Sequence, residues 1–425
     1  AQEVALSIQP IHPIQQQAIK RLQDSEFPHK KIEAWHYTSL NHLLEYPFSP
    51  ANEDSADEDV VLNYSNIEDW VLGQPDDIRI VLYNGKYQSD LSHIPDSIEG
   101  LQIESLRTAL AHDDKTVINH LGKLSGEGEH LFNTLNTALI QDGVYIHVAA
   151  NTHIEQPIEI LHVSLSFSAA LMAQPRNLII LEENSAATIV ENYSSLGDSL
   201  CFNNIINEIF IGSGASLNHP RLQDESRQTR HLAALYIQQD EKSHYQCTTS
   251  SLGALWSRTE FHIDLKGSNA DCQLFGLYLA GDNQANHNHL QVSHSASGCS
   301  SREFFKGILQ GHGRAVFDGL VVVQKDAQQT DAHLSNANLL LSRDAEIDTK
   351  PVLEINADDV KCSHGTTVGQ IDQAMLFYLR ARGIPKSKAL QMICQGFAAD
   401  IVEHYDWEPL QQRVTQLLEQ RLKQH

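Results

Sequence analysis

Paired cysteines are missing from this chain. Its six cysteines, Cys201, Cys247, Cys272, Cys299, Cys362 and Cys394, lie far apart, and no Cys-x-x-Cys pair occurs. That spacing excludes zinc ribbons and thioredoxin-type redox motifs. Long apolar runs are missing too: nothing approaches the roughly 18 residues a membrane-spanning helix needs. No charged-then-apolar leader opens the sequence, so the expected compartment is the cytoplasm, the thiols are expected to be reduced, and no membrane partner is expected. Positive charge is scarce, with 30 Lys and Arg against 54 Asp and Glu and a formal net charge of −24. Such a chain repels phosphate backbones and anionic lipid, which argues against a nucleic-acid partner. Three catalytic signatures are also lacking: the Gly-x-x-x-x-Gly-Lys-Ser/Thr phosphate loop, the His-Glu-x-x-His zinc helix and the Gly-x-Ser-x-Gly nucleophile elbow.

Apolar content is ample, at 41% of 425 residues. The length implies two or three domains or one elongated repeat. Residues 1–140 read as a mainly helical region. Ile14, Ala18 and Leu22 recur at four-residue spacing behind Pro13, a residue suited to the first helical position. Trp35 and its aromatic neighbours are expected to be packing anchors. The acidic stretch 52–59 reads as a solvated loop. A short strand is expected at 78–83 with a turn at Asn84-Gly85, and a helix at 129–140.

From Gly143 the texture becomes β. Short strands are predicted at 144–148, 158–163, 177–181, 205–211, 261–265, 320–323 and 352–355. Small polar turns recur, each placing an Ala before a strand: Ala187, Ala215, Ala270, Ala315 and Ala345. The steps are 28, 55, 45 and 30 residues, so the period is near 28–30 but breaks between Ala270 and Ala315. A degenerate period of strands alone predicts a mainly β fold, a central parallel β-helix over 141–370, with a β-sandwich as the competing architecture. Residues 371–425 read as a C-terminal helical region. Asp372 caps its first helix, Gly383 stops it and Pro385 opens the next. Ala389, Ile393, Phe397 and Ile401 form one apolar stripe, and Leu410, Val414, Leu418 and Leu422 form another. This unit is expected either to cap the open end of the solenoid or to dock another protein.

The most informative stretch is Lys361-Cys362-Ser363-His364-Gly365. On a strand, side chains two apart share a face, so Cys362 and His364 present a thiol and an imidazole together. That donor pair suits iron, copper or zinc, but two ligands are too few for a closed site. The bland reading is a buried Cys and a hydrogen-bonded His. His287, His289 and His294, with Cys299 nearby, match no metal motif and are expected to be hydrogen-bonded surface histidines.

The stretch from Asp348 to Gly369, DTKPVLEINADDVKCSHGTTVG, resembles the signature of the SufB/SufD family, scaffold subunits of the SUF iron–sulfur cluster assembly machinery. Phe377-Tyr378-Leu379-Arg380-Ala381-Arg382-Gly383-Ile384 and the early Glu33-x-Trp35-x-Tyr37-Thr38-x-Leu40 are similar to the same family. The resemblance implies helical regions flanking a parallel β-helix and a non-catalytic scaffold. It implies a heterodimer with SufB through the β-helix, and the ATPase SufC docked on the C-terminal helices. The family's assembly site lies at the SufB–SufD interface, so Cys362 and His364 would hold a transient cluster or iron there, with nothing permanently bound to the isolated chain. Gly365 stands where SufB has an acidic residue, which places the resemblance on the SufD side. An exposed solenoid edge makes a homodimer of the isolated chain a further expectation. The rival from another class is a β-helical carbohydrate-active enzyme, which needs carboxylates in register along one solenoid face.

Overall fold

The computed structural model describes residues 13–51, 62–125, 130–166 and 169–422; the acidic stretch 52–59 lies outside the described residues. From Val144 the chain winds as a parallel β-helix, each coil giving one strand to each of two facing sheets. The first sheet takes Val144–Val148, Arg176–Leu181, Cys201–Ile211, Arg230–Gln239, Trp256–Leu265, Ala285–His294, Arg314–Val323 and Glu346–Ile355. The second takes Ile158–Ser164, Ala186–Ser195, the broken pair Ser216–Asn218 and Arg221–Asp224, then His244–Ser251, Asp271–Ala280, Ser300–Leu309, Thr330–Leu340 and Val360–Gln370.

Register explains the imperfect period. Phe202 pairs with Arg230, Arg230 with Trp256, Trp256 with Ala285, Ala285 with Arg314 and Arg314 with Glu346, so coils span 26 to 32 residues. Ala187, Ala215 and Ala270 sit at the start of second-sheet strands, whereas Ala315 and Ala345 sit at the start of first-sheet strands. The step of 45 is therefore one coil plus the passage from one sheet to the other. All five alanines are buried in the solenoid interior.

That interior is built by alternation. On Asp271–Ala280, Cys272, Leu274 and Tyr278 point inward, and Gly276 leaves the space that the Phe305 ring fills, since a Cβ there would lie 2.1 Å from it. The predicted strands all exist; 144–148 has the expected bounds, and most of the others are longer, because the reading caught mainly their apolar parts. Polar-rich strands such as Thr330–Leu340 escaped it, since their outward positions carry Asp331, His333 and Ser335.

The two outer faces are covered by different ends of the chain. Helices Pro13–Asp24 and Leu131–Leu139 and the 3-10 turn Glu33–Trp35 lay Ala18, Leu22, Trp35, Phe132 and Leu135 against Met172, Phe202, Leu232 and Trp256 of the first sheet. Trp35 is an anchor as expected, with the Arg258 guanidinium 4.1 Å from its ring. Helices Lys386–Val402 and Glu408–Leu422 pack on the second sheet through Phe275, Leu277, Leu279, Ile308 and Leu339. Asp372 caps Gln373–Ala381 by accepting from the amides of Ala374 and Met375, and Gly383 adopts φ +86°. The stripe on Lys386–Val402 is rotated from the expected one: Ala389, Gln391, Cys394, Ala398 and Ile401 are buried, while Ile393 and Phe397 are partly so.

The first coil is closed by antiparallel strands. Lys86–Tyr87 turns back on Arg79–Tyr83 through Asn84 and Gly85, with φ of 47° and 82°, and Leu101–Ser105 pairs antiparallel with Val144–Val148. The segment before residue 140 thus contributes strands to both sheets as well as helices. The described C-terminal helices lie on the side of the solenoid and not across its last coil, so no described helix covers that end.

Candidate functional site

The last coil presents two long strands, Glu346–Ile355 and Val360–Gln370, each hydrogen-bonded to a neighbour on one edge only. Along Val360–Gln370 every side chain from Ser363 to Gln370 is exposed. A long, unprotected edge of this kind offers a row of unpaired amides and carbonyls to another strand. No Pro or bulge blunts Val360–Gln370.

Cys362 and His364 lie on this edge strand, and register fixes which way they face. Cys362 continues the column of Cys272, Ser301 and Ala332; His364 continues Leu274, Glu303 and Leu334. Both columns point into the solenoid. Because no further coil covers them, the thiol and the imidazole line the open mouth: Cys362 is half-buried against the core and His364 is exposed. The strand geometry therefore brings the two donors onto one face, as the two-residue spacing requires. Burial pushes the Cys362 thiol above its usual pKa; the Ala332 backbone opposes this, and the charge of Asp331, joined by that of Glu303 wherever its carboxyl is ionised, adds to it.

The backbone between the two donors is held from the outer face. Ser363 Oγ donates to His333 Nδ1 at 2.6 Å, and His333 Nε2 donates to Asp331 Oδ1 at 2.8 Å. Across the mouth, the hydroxyls of Thr349 and Thr366 meet at 3.0 Å and tie the two edge strands together. Gly365 has open space where a Cβ would stand, so nothing in this chain requires glycine there. Sequence reasoning missed the Asp331–His333–Ser363 chain because it joins strands 30 residues apart.

The other titratable clusters are internal struts. Glu191 accepts from Arg221 Nε at 2.5 Å and lies 3.4 Å from His219; burial opposes its ionisation, but Arg221 holds it well below the usual carboxylate range. Glu260 accepts from His130 Nε2 at 2.8 Å and Arg258 Nε at 2.5 Å, clamping the N-terminal helices to the first sheet. The expectation of surface histidines around residue 290 is corrected. His287 is buried beneath the N-terminal segment and meets Thr38 at 2.9 Å. His294 points inside the solenoid and meets Ser301 at 3.0 Å, and Cys299 is fully buried. Burial lowers His294 to about 4 and His287 to about 3. Their polar neighbours in sequence concealed a strand whose both faces are covered. Among the described residues, no three metal-ligating side chains converge on one point. Any metal at the mouth must therefore draw ligands from outside this chain's described residues.

Two family models match the chain. Residues 4–160 match the SufBD protein N-terminal region, and residues 164–397 match the SufBD core domain of the SUF iron–sulfur cluster assembly system. The chain belongs to the SufBD family. It is 32% identical to the iron–sulfur cluster assembly protein SufD of Escherichia coli over 413 residues, covering 96% of this chain and 93% of that protein. It is also 32% identical over 397 residues to an iron–sulfur cluster assembly SufBD family protein of Synechocystis, covering 92% of this chain and 86% of that one. SufD of Bacillus subtilis is 24% identical over 421 residues, covering 96% of this chain and 93% of that protein. The chain is thus an iron–sulfur cluster assembly protein of the SufBD family and a homologue of SufD. That membership sets aside the carbohydrate-active reading. No helix among the described residues is long and apolar enough to cross a membrane.

Proposed function

We propose that this chain is a non-catalytic scaffold subunit of the SUF machinery, and that its open solenoid end is one half of a cluster-assembly site. The observation that carries this reading is the bare last coil, which offers pairing edges and, between them, Cys362 and His364. An iron ion or nascent iron–sulfur cluster is the cargo. Thiolate and imidazole are suitable donors for it, and two donors from one side hold it weakly enough for later release. SufB, a subunit of the same family, supplies the remaining ligands across the interface. A second copy of this chain can occupy the same edge when SufB is absent.

The ATPase SufC is the partner for the C-terminal helices. Gln373–Ala381 buries only Leu376, and leaves Met375, Phe377 and Tyr378 at 50%, 73% and 55% exposure, an apolar patch suited to a docked protein. ATP-driven motion of SufC would open and close the mouth site. His364 is the direct ligand or iron- and sulfur-handling group, and Cys362 is the second. The expected compartment is the cytoplasm.

The test is co-expression with SufB and SufC, followed by anaerobic spectroscopy of the purified complex. A ternary complex that builds an iron–sulfur chromophore is expected, and His364→Ala should lower cluster yield at least tenfold without dissociating the complex. Unchanged cluster formation in His364→Ala rejects the direct role.

A further inference from the structure

The column that ends at His364 holds one residue that packing does not explain. Leu274, Glu303, Leu334 and His364 stack across four consecutive second-sheet strands, all facing inward. The coils on either side of Glu303 place leucine at this position. Glu303 is fully buried, and neither carboxylate oxygen has a hydrogen-bond partner of acceptable geometry. The Ser301 hydroxyl, which also meets His294 at 3.0 Å, opposes the effect of burial on this carboxyl only in part. An unpaired carboxyl in an apolar interior is costly, and such groups are retained where they serve a site. Titratable groups of this interior include Cys272 one coil further in, Tyr278, Cys247 and Cys299, His294 from the opposite sheet, and Cys362 and His364 at the mouth.

Strand spacing places Glu303 about 10 Å beneath His364, with Leu334 between them. That is too far for ligation, but close enough for charge to be felt through a poorly screened interior. Burial pushes the carboxyl up to about 8, so it is neutral while the mouth is empty of cations. We propose that Glu303 is the buried counter-charge of the mouth: its carboxyl loses its proton when a divalent cation is held at Cys362 and His364, and the resulting carboxylate stabilises that cation. The inference rests on the mouth-site reading above. Its chemistry is one O–H bond broken, with the proton passing to solvent and no electron moved. The carboxylate retains the cargo while the mouth is open, and regains its proton on release.

Anaerobic titration of the full chain with Co2+ tests this. Cobalt–thiolate absorption reports binding at Cys362, and infrared difference spectra report the carboxyl carbonyl band. The metal-free protein at neutral pH should show a protonated-carboxyl band that Glu303→Gln and Glu303→Leu both lack. Co2+ should abolish that band, and Co2+ affinity should fall about tenfold in both variants, a Coulomb effect at this separation. The Leu variant copies the neighbouring coils and so keeps the fold. Cobalt–thiolate absorption with the carboxyl band unchanged overturns the counter-charge and leaves the mouth site standing. Failure of Co2+ to bind Cys362 even when SufB is added to complete the ligand set overturns both.

Discussion

At the scale of the residue, Glu303 sets a pH dependence that can be measured without any metal. Its carboxyl titrates near 8 in the folded chain, against about 4.3 when unfolded. Between those values the folded protein binds a proton that the unfolded protein releases, so stability falls as pH rises through that window. Below it both states are protonated and the carboxyl carries no charge penalty. Glu303→Gln removes the effect. The variant and the natural chain should have matching stability near pH 4, and the variant should lead by on the order of a few kcal/mol above pH 8. Chemical denaturation at a series of pH values checks this; parallel stability curves would mean that the carboxyl is hydrated or paired. Cys362 was legible because a Cys-x-His pair on a strand has only one geometry. Glu303 was not, because a lone Glu among apolar residues looks the same in sequence whether it faces in or out.

At the scale of the element, the edge strand Val360–Gln370 separates stability from association. Its side chains beyond Cys362 make few contacts within the chain, and Val368 is 49% exposed. Val368→Lys should therefore change folding stability by no more than about 0.5 kcal/mol. A charged side chain on an edge strand opposes strand-to-strand pairing, so the same substitution should shift the isolated chain toward monomer. Sedimentation velocity alongside a denaturation curve reads both effects. Loss of stability with unchanged association would reverse the assignment of this strand as a docking edge. The C-terminal helices carry a related lesson. Their four-residue stripes were visible in sequence, yet stripes do not say which surface they meet. Ala389, Cys394, Ala398 and Ile401 turned toward the side of the solenoid because Phe275, Ile308 and Leu339 point outward there. The alternative of a cap across the last coil is thereby excluded for the described helices.

At the scale of the whole molecule, the solenoid is one continuous interior, and each coil depends on its neighbours. Phe305 shows this dependence: it fills the space above Gly276 and meets Phe317 at 5.3 Å and Phe261 at 6.5 Å between ring centres. Phe305→Ala leaves a cavity shared by three coils and should cost about 3–5 kcal/mol. Because stacked coils are coupled mainly to nearest neighbours, the loss should appear first as local opening. Hydrogen exchange should quicken in strands 271–280, 300–309 and 330–340 before it does in 144–148. Uniform acceleration along the chain would indicate a single cooperative unit instead.

The sequence by itself determined the class of the molecule: strands in a degenerate period of about 28–30 residues, helical segments at both ends, and a thiol–imidazole pair near the last coil. These are properties of spacing, and spacing is local. Only the tertiary structure decided that the broken step from Ala270 to Ala315 is a change of sheet, that the surface-like histidines His287 and His294 are buried, and that Cys362 and His364 line an uncovered mouth above a buried carboxyl. Each of those facts depends on which distant strand lies alongside and on where stacking stops. Residues some 30 positions apart in the chain settle that jointly, so no local window contains it.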